Sequence, residues 1–453
     1  MPVRLIESLA TTAALADLFS DHAVLQTMLD FESALARAEA RAGIIPQSAA
    51  AAIRKAAKAE DFDLPALSND MLRAGTPGIP LAKALTERVQ TVNRDAARYV
   101  HWGATSQDVA DTALVLLLKR AQPILSADLK RLDHALRKLA QEHKDTVMLG
   151  RTLMQPAPPV TFGLKAAGWA AALRRSRKDL DAAFEDALVV QFGGASGTLA
   201  SLGRQGSKVA EALAAELKLG CPPAPWHAHR DRLATLLCSC AVVTGSLGKM
   251  ARDISLLMQE EVGEVAETGG QGRGGSSTMP HKRNPIGCAL TLSAAQRVPG
   301  LAATFLGGMV QEHERGVGGW QAEWPTVASL IQATGLALAS MAEVAEGLSV
   351  DGKRMRSNLE ATNGAIFAER ASMLLREKLG REAAHKLMEE ASRKVLKQRR
   401  HLAEVLAEMP EVTQQLDKAT LRRLEVPEKY LGSAEDFRKA LLSASGKTHK
   451  KER

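Results

Sequence analysis

A glycine-rich stretch at residues 269–285, GGQGRGGSSTMPHKRNP, combines residue types that a proton-transfer site needs. Its glycines let the backbone adopt positive φ, whereas Pro280 and Pro285 stiffen the far side and keep it out of a helix. Ser276 offers a hydroxyl, and the charge of Lys282 would help to lower the pKa of that hydroxyl. The combination is typical of a loop that closes over a bound substrate.

Two plainer interpretations of this loop were weighed. Gly270, Gly272 and Gly275 satisfy the dinucleotide pattern G-x-G-x-x-G, but the preceding EEVGEVAET favours a helix where that pattern requires a strand. Glycine-rich sequence is also typical of flexible surface loops, in which Ser276 and Ser277 would only cap nearby backbone. We therefore reject a dinucleotide site, while the loop alone leaves a surface role open.

A second polar cluster, HWGATSQDVADT at 101–112, precedes a long helical pattern. Ser106 or Asp108 is well placed to cap that helix, and Thr105 offers a further hydroxyl. For His101 taken alone, a buried and hydrogen-bonded histidine is the default. Capping and ligand binding are both compatible with this cluster.

The elements that must position these segments are predicted to be helices. Helical spacing of apolar residues recurs in five long stretches, at 109–144, 160–188, 229–258, 285–306 and 322–348. Pro123 is expected to kink or end the first of them. Before them, helices are expected on either side of a break at 43–46. A run of prolines and glycines at 65–80 then ends the helical rhythm.

Beyond residue 351 the predicted helices are shorter and more charged. We therefore expect an all-α fold of three domains, at 1–108, 109–350 and 351–453. The low aromatic content, 4%, and the dominance of good helix formers support the same fold class.

Bulk properties narrow the classes of function. The longest apolar run, around 114–118, is far shorter than the roughly 20 residues of a membrane span, and no export signal precedes it. Four cysteines without a regular framework suit a reducing compartment. The net charge of +8 is interleaved along helices rather than clustered, which favours a solvated surface over nucleic-acid binding. We expect a cytoplasmic protein with neither a membrane nor a nucleic-acid partner.

Three segments, in the same order, resemble the aspartase/fumarase lyase superfamily. They are HWGATSQDVADT, GRTLMQPAPPVTFG at 150–163, and the S-S-x-M-P-x-K-x-N-P signature. The resemblance implies a central bundle of five long helices that pools with other subunits, and chemistry through an aci-carboxylate. It assigns proton transfer at carbon to Ser276, stabilisation of the dianion to Lys282 and Asn284, and an active-site role to His101. The implied substrate-binding residues are Thr105, Ser106, Arg151, Thr152, Gln155, Ser277, Met279, His281 and Arg315.

The second segment departs from much of the superfamily. Adenylosuccinate and argininosuccinate lyases carry Thr-His there, and the histidine protonates the leaving amine, whereas here Thr152 precedes Leu153. A leucine cannot donate a proton. The R-H-D segment of adenylosuccinate lyases is also absent. An amine-expelling lyase with a replacement acid stays the nearest alternative, followed by a non-catalytic protein on the same fold.

Further segments, among them FGGASGTLASLG and QEHERGVGGWQAEW, are similar to those of bacterial carboxymuconate cycloisomerases. That resemblance implies lactonisation of a small tricarboxylate, in which the attacking carboxylate stays in the product and no amine must be protonated. For Arg315 a surface ion pair is the alternative, because an arginine in helical sequence more often makes that contact than a ligand contact.

No metal or other cofactor is expected. His227, His229 and Asp231 form only a loose cluster, and no further ligand follows at standard spacing. Apolar residues on more than one side of 234–251 predict a homo-oligomer, and the resemblance makes it a tetramer with active sites shared between subunits.

Overall fold

The computed structural model describes residues 5–268, 282–424 and 426–443, and it is 72% helical, which confirms the all-α prediction. The N-terminal part contains five α-helices within the described residues: α1 Ala13–Leu18, α2 Asp21–Arg41, α3 Gln47–Ala56, α4 Leu64–Ala74 and α5 Gly78–Val92. The break expected at 43–46 separates α2 from α3.

The prolines at 65–80 do not end the helical pattern as expected. Pro65 lies in the first turn of α4 and Pro80 in the first turn of α5. A first-turn proline loses no hydrogen bond, because its missing N–H would have had no partner within the helix. Gly75, with φ of +64°, ends α4 in the left-handed conformation and separates the two helices.

The five long helices of the middle are present close to their predicted bounds. They are α6 Ser106–Glu142, α7 Phe162–Ala187, α9 Asp231–Leu257, α10 Ile286–Gly307 and α11 Gly319–Glu346, with the shorter α8 Gly206–Leu217 between α7 and α9. Pro123 lies inside α6 and does not end it. The helices of the C-terminal part are α12 Gly352–Glu360, α13 Ala368–Leu379, α14 Arg381–Gln398, α15 Leu402–Ala407, α16 Pro410–Thr413, α17 Lys418–Arg423 and α18 Ala434–Ser443.

A β-hairpin stands where the sequence pattern extends a helix back to Val160. Its strands, β1 Val147–Thr152 and β2 Gln155–Thr161, are antiparallel and pair Thr152 with Gln155. The two turn residues, Leu153 and Met154, both have positive φ, at 49° and 65°. Short strands β3 Val265–Ala266 and β4 Ser349–Val350 form a second antiparallel pair.

The chain divides into two compact units. The first comprises 1–130, 175–248 and 290–340, and the second comprises 131–174, 249–289 and 341–453. In the first, apolar residues of α2, α3, α5 and α8 share one core; in the second, β1 packs with the helices that follow residue 352 around another. The division at 108 and 350 into three domains stays a prediction.

Two described helices, α9 and α11, are long and apolar enough to cross a membrane by composition alone. In the folded chain 56% and 67% of their most apolar windows are buried. That burial is typical of core helices.

Candidate active site

The described candidate residues fall into two groups, one in each compact unit. His101, Thr105, Ser106 and Arg315 belong to the first unit. The second unit contains Arg151, Thr152, Gln155, Lys282 and Asn284. Four further candidates, Ser276, Ser277, Met279 and His281, lie outside the described residues.

Asp108 fixes the start of α6, as the capping interpretation predicts. Its Oδ2 accepts a hydrogen bond from the Thr105 backbone N–H at 3.0 Å. This bond ties the residue before the helix to the first turn of the helix. The same buried carboxylate accepts N–H bonds from Gly193 and Gly194, at 3.0 and 2.9 Å, and lies 2.7 Å from Nε2 of His227. Asp108 is therefore fully engaged in holding the segment together.

Arg315 approaches this segment as a cation with no acidic partner among the residues that the structure describes. Its guanidinium donates to Oγ1 of Thr105 at 2.9 Å and to the backbone oxygens of Gly194 and Ala195 at 3.3 and 2.8 Å. Within the described chain it forms no ion pair, and its buried Nε–H has no hydrogen-bond acceptor. The residue lies in a non-helical loop, so the surface ion pair typical of a helical arginine is not what the structure has. A free guanidinium beside a threonine hydroxyl is suited to bind a carboxylate.

Ser106 lies at the closest approach of α5 to α6. A Cβ added to Gly78 would stand 2.4 Å from Cα of Ser106 and 2.7 Å from its Oγ, so only glycine lets the two helix starts meet here. No described residue hydrogen-bonds the Ser106 side chain, which is half-buried. The hydroxyl is thus available to a ligand.

His101 occupies a left-handed backbone conformation, with φ of +58°. Its Nδ1 lies 2.6 Å from Oε1 of Glu32, a carboxylate that is only 2% exposed. Burial by itself lowers the pKa of the imidazole, but the charge and hydrogen bond of Glu32, aided by Asp108, outweigh it and raise the pKa above the usual value. The imidazole is therefore biased toward the cation rather than toward a base.

A buried charge network lies one helical turn beyond this cap. Arg230, 1% exposed, donates to both oxygens of Asp111 at 2.7 and 3.0 Å and to Glu323 at 3.0 Å. Trp320 adds an indole N–H bond to Asp111 at 3.0 Å. Burial raises the pKa of Glu323 to about 7 although Arg230 opposes the shift. The network joins α6, the start of α9 and α11.

In the second unit, Arg151 is engaged by an acid. Its guanidinium donates to both oxygens of Glu264 at 3.0 and 2.7 Å, and Glu264 is fully buried. Asn358 donates to the same carboxylate at 2.8 Å. Arg151 thus fixes the end of β1 that precedes the turn, and its charge is largely compensated.

The tip of the hairpin is apolar and exposed. Leu153 and Met154 are 96% and 72% exposed in the single chain, and they stand between Thr152 and Gln155. Non-glycine residues rarely adopt positive φ, and strained turns of this kind concentrate at functional sites. Within the described residues, no acidic or basic side chain takes the place of a proton donor at the tip itself.

Lys282 and Asn284 lie just before α10, where Lys282 is exposed and Asn284 is half-buried. The start of α10 is fixed by Glu267, whose oxygens accept the N–H groups of Gly287 and Cys288 at 3.0 and 2.9 Å. This acidic cap anchors the helix that follows the serine-containing segment in the chain.

The sequence matches the lyase family over residues 8–300, and the adenylosuccinate lyase C-terminus over residues 364–441. The chain belongs to the lyase family. A protein of Bradyrhizobium diazoefficiens named 3-carboxy-cis,cis-muconate cycloisomerase is 49% identical, over 97% of this chain and 98% of its own. The crystal structure of 3-carboxy-cis,cis-muconate lactonizing enzyme from Pseudomonas putida has a TM-score of 0.91 and 48% identity, over 97% of this chain and 98% of that one. A nitrosuccinate lyase of Streptomyces davaonensis is 44% identical, over 92% of this chain and 89% of its own.

These relatives confirm the resemblance on which the sequence interpretation rests. Sequence reasoning missed two features of this lyase: the carboxylate behind His101, and the network around Arg230. Glu32 is 69 residues from His101 in the chain, so no local motif joins them. The spacing of Asp108 and Asp111, three residues apart on one helix, is the sequence signal that two acids share a face there.

Proposed function

We propose that this lyase is a cycloisomerase that converts 3-carboxy-cis,cis-muconate to 4-carboxymuconolactone through an aci-carboxylate. The observation that carries the proposal is the apolar residue at position 153, where related amine-expelling lyases have their acid. In ring closure the attacking carboxylate remains in the product, so no leaving amine requires a proton. The relatives named cycloisomerase, similar over almost their whole length, support the same reaction.

The charges of the first unit suit a substrate with several carboxylates. Arg315 lacks an acidic partner in the described chain, and His101 is biased toward the cation. Lys282, which is exposed, is a positive group of the second unit. We assign Arg315 with Thr105 to one substrate carboxylate, and Lys282 with Asn284 to the aci-carboxylate.

Ser276 is the proposed proton carrier at carbon. In the forward direction a substrate carboxylate adds to the conjugated double bond, and the electron pair moves into the neighbouring carboxylate to give the dianion. Ser276 then delivers a proton to the carbon next to that carboxylate, which completes the lactone. Preorganised cations that hold the two negative oxygens lower the barrier to forming the dianion. Holding the attacking carboxylate and the double bond in place lowers the barrier further.

Nitrosuccinate cleavage is the second candidate function, because a lyase of that name is 44% identical over most of the chain. Nitrite leaves as a weakly basic anion, so an apolar residue at position 153 does not argue against it as it does against amine release. The three carboxylates of the cycloisomerase substrate make better use of Arg315 and His101. We therefore rank nitrosuccinate second and adenylosuccinate third.

Members of this family are generally homo-oligomers that act on small substrates. We propose a tetramer whose active sites combine residues from different subunits. The exposed apolar tip at Leu153 and Met154 supports burial against another copy. We also propose that the protein acts in the cytoplasm, in the protocatechuate branch of aromatic-acid breakdown.

An ultraviolet assay that follows loss of the diene of 3-carboxy-cis,cis-muconate tests the proposal. Wild type should consume the diene, and Ser276→Ala should lower the rate by at least about 100-fold, because a positioned proton carrier contributes that much or more. Ser68→Ala, at an exposed position of α4, is the matched control and should keep full activity. A Ser276→Ala variant as active as wild type would remove the serine from the mechanism, and an inert wild type would remove the substrate.

A further inference from the structure

Two glutamates are buried on one face of α2. Glu32 is 2% exposed and Glu39 is completely buried. Seven residues are close to two helical turns, so their side chains leave the same face about 10 Å apart along the axis. Ala36, whose side chain is small, stands between them on that face.

Three of the four carboxyl oxygens have no hydrogen-bond partner among the described residues. Oε2 of Glu32 and both oxygens of Glu39 are buried without a hydrogen bond to any described residue. Burial, together with the charge of Glu32, raises the pKa of Glu39 to about 9. Glu39 is thus a neutral acid at neutral pH, with an O–H that needs an acceptor. Orphaned polar atoms in such a space are typically bridged by an internal water.

The fourth oxygen connects this pair to the candidate active site. Oε1 of Glu32 lies 2.6 Å from Nδ1 of His101, whose side chain is 18% exposed. No described residue hydrogen-bonds Nε2 of the ring. The charged groups that face His101 are Glu32 from α2 and Asp108 from α6, while Arg315 lies against Thr105 four residues further along.

We propose that Glu32 and Glu39 are positioning residues that hold His101 as a cation, with Nε2 free to bind a carboxylate of the substrate. Glu32 orients the ring and stabilises its positive charge through Nδ1. Glu39 keeps its proton and donates a hydrogen bond, through a bridging water, to the second oxygen of Glu32, which keeps that carboxylate fixed and leaves only one negative charge in the buried pair. Only the identity of the bound carboxylate rests on the proposed function.

This arrangement assigns His101 to anion binding and not to proton abstraction. A histidine whose Nδ1 faces a buried carboxylate carries its proton on that nitrogen in either charge state, and as a cation it carries a second proton on Nε2. Binding of a polyanion should therefore weaken as the pH rises through the pKa of His101. A general base at this position would instead make the catalytic rate rise with pH, because only the neutral imidazole can accept a proton.

The ionisation of His101 can be measured directly by NMR on the full-length chain labelled with ¹³C-histidine. Eleven histidines are present, and His101→Gln identifies the relevant signal. The midpoint of wild type should lie above the ordinary histidine value, and Glu32→Gln should lower it by at least about one pH unit, the effect of removing an adjacent opposite charge. Glu39→Gln, which keeps a neutral donor, should leave it unchanged, as should Glu60→Gln at an exposed site.

Calorimetric titration with tricarballylate, a tricarboxylate that cannot cyclise, tests whether the His101 cation binds a carboxylate. Affinity should fall with rising pH in wild type, and the fall should move to lower pH in Glu32→Gln and disappear in His101→Gln. Glu32→Asp, which keeps the charge on a shorter arm, should lie between wild type and Glu32→Gln. An unchanged midpoint in Glu32→Gln, or affinity that does not depend on His101, would overturn the proposal. Failure to turn over carboxymuconate with these results intact would instead overturn only the proposed reaction.

Discussion

Arg315 is the side chain on which the proposed substrate class depends most. It reaches Thr105 and two backbone oxygens but pairs with no described carboxylate, so its charge remains available to a ligand. Arg151, in contrast, already satisfies a buried glutamate. The two arginines are indistinguishable by type, and only their partners separate a binding role from a structural one.

Arg315→Gln should therefore raise KM for the tricarboxylate by roughly 10- to 100-fold, the loss of one charge-assisted hydrogen bond of about 1.5–3 kcal/mol. The effect on kcat should be smaller, because the aci-carboxylate is assigned to Lys282. Steady-state kinetics measures both constants. Arg73→Gln, a change at an arginine that is 77% exposed, is the control and should alter neither. An unchanged KM in Arg315→Gln would show that this guanidinium does not meet the substrate.

Glu39 makes a separate prediction for stability. Its folded-state pKa of about 9 is above the ordinary carboxyl value, so the folded protein holds one more proton than the unfolded chain between those two pH values. Its contribution to stability is complete below the ordinary value and is lost as the pH rises through the raised one, by up to about 1.4 kcal/mol per pH unit.

Glu39→Gln should flatten this part of the pH profile and raise the free energy of unfolding at pH 8 more than at pH 5. Urea unfolding followed by circular dichroism at the two values gives the comparison. Equal effects of the substitution at both values would mean that Glu39 does not hold its proton in the folded state.

At the scale of elements, periodicity predicted the long helices well because each buries apolar residues at helical spacing over many turns. The same signal failed at the hairpin. Pro156, Pro158 and Pro159 argue against a strand, because proline has no N–H to donate to a neighbouring strand, and they interrupt the alternation of apolar and polar residues that identifies strands. The turn at Leu153 and Met154 also contains no glycine. The prediction was also wrong for the prolines of α4 and α5, because a proline in the first turn of a helix cannot be distinguished in sequence from one that ends a helix.

The candidate site was predictable only as far as the motifs reach. Thr105 and Asp108 lie in a single motif, and the structure confirms that Asp108 caps α6. The partners of His101 and Arg230 come from distant parts of the chain, and no spacing rule connects them. Long-range pairing of buried charges depends on how the helices pack, which a single sequence does not specify.

The network around Arg230 is predicted to hold α6, α9 and α11 in place. Arg230→Met leaves Asp111 and Glu323 as uncompensated buried acids, which should cost about 3–5 kcal/mol of unfolding free energy. The loss should shrink at low pH, where those acids can be neutralised. Equilibrium urea unfolding checks the size, and Arg73→Met is the exposed control. A loss below 1 kcal/mol, on the order of a surface ion pair, would contradict this role.

At the scale of the whole molecule, the proposed shared sites predict complementation between inactive variants. His101→Gln and Ser276→Ala each damage a different motif, so a mixed oligomer contains some sites with neither change if the two motifs come from different subunits. Unfolding the two proteins together and refolding the mixture should recover activity that neither variant shows when refolded alone. Mixtures no more active than their parents, with light scattering confirming assembly, would place both motifs of each site in one subunit.

The most direct test of the proposed reaction is a competition among substrates in one tube. Equal amounts of 3-carboxy-cis,cis-muconate, nitrosuccinate and adenylosuccinate are followed by proton NMR after addition of the wild-type protein. The muconate should be consumed more than about 100-fold faster than either of the other two substrates. All of its carbons should reappear in a lactone, with no fragment released. Faster loss of nitrosuccinate with release of nitrite, or of adenylosuccinate with release of fumarate, would contradict the cycloisomerase assignment.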